Sequence, residues 1–176
     1  MSAEKGRSNM RAILIWFLFA VIGLIAAGPL AAQSSEATEA KYASAKEIQA
    51  LMAKAKAEHK PGEPNTLESI MMLAPYNVNL EYRTGTAMAA LHEHEAELFV
   101  VLEGTGTIVT GGKLMNEKRV DAANLQGTGV EGGTSRAVAK GDVILVPENT
   151  PHWYSKVNGT LVLMSMHVPR PVPAAR

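Results

Sequence analysis

From residue 65 onward, apolar side chains recur at every second position in short runs, and each run ends at glycine, asparagine or proline. A period of two belongs to strands, and breakers this frequent leave no room for long helices. The body of the chain is therefore predicted to be all-β. Tyr76, Val78, Leu80 and Tyr82 share one face, while Asn77, Asn79, Glu81 and Arg83 share the other. Further strands are expected at residues 98–102, 105–110, 143–146, 152–156 and 161–168. Turns fall at Glu103-Gly104, Gly111-Gly112, Gly141-Asp142 and Asn158-Gly159. Many short strands at regular spacing build a sandwich or a barrel. Residues 111–140 are rich in glycine and small polar side chains, carry neither a P-loop nor a dinucleotide fingerprint, and read as an extended hairpin or lid.

A different pattern precedes this body. Ser44 and Glu47 form a capping box, and Ile48, Leu51, Met52 and Ala55 then recur at helical spacing until Lys60-Pro61-Gly62 ends the run. This predicts an amphipathic helix packed on the outside of the strands. Residues 33–41 are small and polar, a linker. Ahead of them, residues 12–27 are apolar apart from Gly23 and follow Lys5, Arg7 and Arg11, with Gly28-Pro29 and then Ala31 and Ala32 behind. That arrangement predicts a signal peptide over residues 1–32 and a periplasmic or secreted protein. The alternative is a membrane tether formed by residues 12–32 left uncleaved. The expected organisation is thus a leader at 1–32, linker and helix at 33–64, strands at 65–170 and a tail at 171–176.

Charge and cysteine narrow the chemistry. Seventeen basic and seventeen acidic residues leave no net charge, so no nucleic-acid footprint is expected. The absence of cysteine excludes disulfides, thiolate nucleophiles and sulfur-ligated metal sites, so any metal must be held by nitrogen and oxygen. His92 and His94 stand two apart, a spacing that on one strand sends both rings to the same face. Glu97 follows closely, and His152 lies beyond the turn Pro147-Glu148-Asn149-Thr150-Pro151. Three imidazoles and a carboxylate suit a divalent ion of iron, manganese, zinc, nickel or copper and can leave coordination positions open.

Two stretches carry a resemblance. Gly85-TAMAAL-His92-Glu-His94-EA-Glu97-LFVVLE-Gly104 and Gly141-DVILV-Pro147-Glu-Asn149-TP-His152 resemble the two motifs of the cupin superfamily. The resemblance implies a single jelly-roll-type barrel, with His92, His94, Glu97 and His152 as metal ligands and a homodimer paired through its sheets. Asn149 stands where the family has glycine, and asparagine tolerates the left-handed conformation. The histidine pair is displaced by one residue against both Gly85 and Glu97, which calls for a bulge or tightened turn. His92, Glu97 and His152 form the three-ligand alternative.

Other residues have plainer readings. Glu93 and Glu95 read as solvated, and His59 as a favourable charge closing the helix. His167 shares strand parity with Leu161, Leu163 and Ser165 and reads as a barrel residue, with a pocket role as the alternative. Only one of Tyr82 and Arg83, and one of Trp153 and Tyr154, can point inward. Tyr82, on the apolar stripe, is the interior and catalytic candidate. The expected function is metal-dependent chemistry on a small oxygen-bearing molecule, of isomerase, lyase or dioxygenase type. The alternative is a non-catalytic periplasmic module that binds or senses a small molecule.

Overall fold

Helix α1, Ala45–Glu58, begins where its capping box puts it: the Ser44 side chain accepts from the Glu47 amide, and Glu47 accepts from the Ser44 amide at 2.7 Å. It ends before Pro61, which lacks the amide that another turn needs. The computed structural model describes residues 39–170. The predicted leader, most of the linker and the tail lie outside them. Among the described residues no helix is long and apolar enough to cross a membrane.

The rest is antiparallel sheet. β1 (Asn65–Leu73) pairs with β2 (Tyr76–Arg83), and β2 pairs with the long β11 (His152–Pro169). β11 also meets β3 (Ala89–His92) and runs beside β4 (Glu95–Thr110), which carries β9 (Thr134–Ala139) and β10 (Val143–Val146). β7 (Asn124–Gly127) joins β3 to β6 (Lys118–Arg119), giving nine strands; β5 (Lys113–Met115) and β8 (Gly129–Glu131) make a separate ribbon. This is the architecture that the jelly-roll resemblance implies, although the pairing of the described strands does not close into a ring.

One difference from the sequence reading has a physical cause. The turns expected at Glu103-Gly104 and Asn158-Gly159 are bends within β4 and β11, marked by a register shift between Val157 and Leu161. Gly104, at φ 82°, permits this because its α-carbon lies against the backbone of Thr160, where a β-carbon would collide with the carbonyl oxygen. Residues 111–140 form the strands of the hairpin reading, with β5 paired to β8 and β6 to β7. Leu114 and Leu125 close an apolar cluster with Ala89 and Leu91, and Val130 and Trp153 pack against it.

The apolar stripe of β2 faces outward. Leu80 and Tyr82 pack with Val162 under Ala55 of α1, so the helix covers this part of the sheet. Its opposite face, with Asn79, Glu81 and Arg83, lines the interior cavity. Beneath that cavity lies the main core of Phe99, Val101, Ile108, Tyr154, Leu161 and Leu163 with their neighbours.

Replacing Gly104 by alanine should cost about 2–4 kcal/mol, since left-handed strain and a backbone collision act together. Gly62, at φ 89° with open space around it, should lose only about 1 kcal/mol in the same exchange. Urea unfolding of both variants checks the difference.

Candidate metal centre

Strand parity sets the interior residues. On β4, Glu97 and Phe99 alternate inward, and Glu97 pairs across to Val146 of β10 and His167 of β11. His92 ends β3, and His152 opens β11 directly after the 147–151 turn. Asn149 in that turn adopts φ 56°, and its amide donates to the His92 carbonyl at 2.6 Å. The second motif is thereby fastened to the first histidine.

Three of the four expected ligands come together. The ligand atoms of His92, Glu97 and His152 all lie within 4.8 Å of one another. Glu97 Oε2 is 3.3 Å from His92 Nε2 and 3.0 Å from His152 Nε2. His94 is elsewhere. The chain bends at Glu93 and His94 between β3 and β4, which is the tightened turn that the displaced spacing called for, and His94 faces solvent. The rule that residues two apart share a face holds only within a strand, and β3 has ended at His92. Glu93 turns away to a bidentate pair with Arg119.

His167 occupies the interior instead. Its Nε2 lies 3.5 Å from Glu97 Oε1, its Nδ1 lies 2.9 Å from Glu95 Oε2, and its ring sits 4.6 Å from the His92 ring between centroids. The signal in the sequence was its parity with Ser165 and Leu163. Tyr82, the catalytic candidate, does not line the cavity, because the stripe it belongs to is the one that α1 covers. Of Trp153 and Tyr154, Tyr154 joins the core, while Trp153 donates from Nε1 to the Ala87 carbonyl at 2.9 Å.

Hydrogen bonds fix the ring tautomers. Asn124 Nδ2 donates to both oxygens of Asp121, so its Oδ1 is the atom facing His92 Nδ1 at 2.6 Å, and that nitrogen must carry the proton. His152 Nδ1 faces the Thr150 carbonyl at 3.2 Å and His167 Nδ1 faces a carboxylate, with the same result. Each Nε2 then presents a lone pair toward Glu97. Lone pairs and a carboxylate at such distances require positive charge between them, either added protons or a metal ion.

The donor set fits an ion. Nitrogen and oxygen ligands about 2.1 Å from a shared metal stand about 3.0–3.4 Å apart in octahedral or tetrahedral arrangements. The separations of 3.0 and 3.3 Å match that range.

Electrostatics agree. Burial would raise the Glu97 carboxyl, but hydrogen bonds from His152 and His92 outweigh it and hold the group at about 2. Burial disfavours the charged form of His92, yet its contacts with Glu97 and Asn124 outweigh that effect and raise its pKa. The adjoining cavity, about 200 Å³, is lined by Asn79, Glu81, Arg83, Phe99, Tyr154 and Ser165 among others. Arg83 Nε donates to the buried Glu81 carboxylate at 2.8 Å, and its guanidinium lies 4.8 Å from the Tyr154 ring centre. The Tyr154 hydroxyl is buried with no hydrogen-bond partner among the described residues.

Comparison with known proteins follows the same lines. The family model described as Cupin matches residues 64–168. Similar solved structures include the cupin domain of Cnp3 from Schizosaccharomyces pombe, at 14% identity over 61% of this chain and 62% of that one, with a TM-score of 0.45. KdgF from a Halomonas species is 14% identical over 64% of this chain and 87% of that one, TM-score 0.43. A protein from Bacillus halodurans is 19% identical over 72% and 83%, TM-score 0.46. No curated protein matches the chain in sequence.

A carboxyl held low in the fold stabilises it above the ordinary value of 4.5, and that stability drains away as pH falls toward about 2. Metal-free protein should therefore lose stability across this window, and Glu97→Gln should lose less. Urea midpoints of the two proteins, measured against pH in chelator, give the comparison.

Proposed function

The chain belongs to the cupin family, and on that premise we propose that it is a metal-dependent enzyme acting on a small oxygen-bearing molecule. His92, Glu97 and His152 hold a divalent ion of iron, manganese, zinc, nickel or copper. The observation that carries this reading is the arrangement of Nε2 lone pairs around a buried carboxylate, with each ring's Nδ1 engaged elsewhere. Such outer partners fix the tautomer and direction of a ligating imidazole. A bound divalent ion supplies Lewis acidity toward a substrate oxygen and lowers the pKa of water.

The chain's own groups supply the rest. At about 200 Å³, the cavity is smaller than the roughly 300–1,000 Å³ of drug-sized sites, which favours a molecule of few atoms. Among the described residues the Tyr154 hydroxyl has no partner, and burial pushes its phenol up, so it stays protonated and donates to a substrate oxygen. Arg83 is held by Glu81 and presents a fixed guanidinium, while Asn79 and Ser165 offer further polar contacts. These groups suit isomerisation, lyase chemistry or dioxygen insertion on a hydroxyl- or carbonyl-bearing substrate. The leader, with its basic residues ahead of an apolar run, supports export to the periplasm or beyond.

Elemental analysis of the purified protein should find one divalent ion per chain. His152→Ala should weaken binding by more than the 10- to 100-fold (about 1.4–2.7 kcal/mol) that loss of an outer partner costs. Metal-free protein that still binds a small molecule in the cavity would replace this reading by the non-catalytic binding module. Tyr154→Phe, which keeps the ring packing, should lower turnover or ligand affinity about tenfold (~1.4 kcal/mol), the worth of one hydrogen bond made in a dry site.

A further inference from the structure

We propose that His167 is the third imidazole ligand of this ion, in the place that the His-x-His motif would give to His94, and that Glu95 is its positioning residue. The inference rests on the metal reading above and adds a ligand to it. Three observations converge. First, β11 and β4 are in register, so His167 stands directly across from Glu97 and its ring projects from the same interior face. Second, His167 Nδ1 donates to Glu95 Oε2 at 2.9 Å, which leaves Nε2 as the free lone pair. Third, that Nε2 lies 3.5 Å from Glu97 Oε1, whereas His92 and His152 approach Oε2. The carboxylate is thus met on both oxygens by nitrogens turned toward it, from β3 and from both ends of β11.

Glu95 differs from Glu97 in what it can do. Its Oε2 already accepts a proton-bearing nitrogen, the relation in which a carboxylate orients a ligating histidine and strengthens it as a donor. Glu95, His92 and His167 also offer atoms within 4.8 Å of one another. A separate ion there would have to displace the hydrogen bond that aims the ring, so one ion at Glu97, on which the His167 ring closes, is the arrangement that keeps that hydrogen bond. His94 has no comparable aim. It is exposed in the bend, and its carbonyl accepts from the Arg170 amide at 3.0 Å.

The test uses the purified protein and its His167→Ala, Glu95→Gln and His94→Ala variants, each stripped with chelator and titrated with Co(II) and Cu(II). Unfolding in chelator shows that each variant is folded before loading. Wild type should bind one ion. His94→Ala should keep its affinity within about twofold and leave the cobalt visible spectrum unchanged. His167→Ala should weaken binding by more than about tenfold and remove one nitrogen from the copper paramagnetic resonance spectrum. Glu95→Gln should retain that nitrogen and weaken binding about 10- to 100-fold. The proposal is overturned if His167→Ala binds as wild type does, if His94→Ala loses the nitrogen instead, or if two ions bind per chain. Failure of wild type to bind either ion overturns the metal reading itself, a result distinct from metal binding that ignores His167.

Discussion

The interior of this fold is organised around a carboxylate withdrawn from water. Glu97 is 5% exposed, on a strand whose neighbouring inward residue, Phe99, belongs to the main apolar core. An anion in such a place costs several kcal/mol unless it is compensated. Compensation here comes from segments far apart in sequence: the end of β3, the start of β11 and the far end of the same β11. β11 can supply both of its contributions because its register against β4 shifts at three places along its length, and the shift between Val157 and Leu161 lies beside the bare α-carbon of Gly104.

Much of the architecture is legible in the residues. The capping box marked the start of α1, and the period of two marked β2 to the residue. What periodicity lacks is direction. A strand between a covering helix and a polar cavity has two buried faces, and the apolar one goes to the helix. Tyr82 therefore lies under Ala55, while Glu81 and Arg83, which look like surface residues, are interior. Glycine is similarly ambiguous. Gly104 and Gly159 share a positive φ that serves a hairpin or a bend equally well, and the choice depends on partner strands that only the folded chain supplies.

The histidines divide along the same line. His92, Glu97 and His152 were readable because two short motifs carry them at fixed offsets from glycine and proline. His94 was read as their companion from its spacing to His92 and its place in the first motif. Spacing has this meaning only while the strand continues, and the strand stops where the His92 carbonyl is taken by Asn149. His167 has no motif around it. Its relation to Glu97 is one of register between β11 and β4, a quantity fixed by packing of the whole sheet.

The Asn149 amide bonded to the His92 carbonyl has a mechanical corollary. Three residues beyond that amide the chain delivers the His152 ring, so the two imidazoles ride on one short stiff bridge. The placement of the His92 backbone and the delivery of His152 therefore depend on the same turn, through a peptide group that is not among the contacts of either ring.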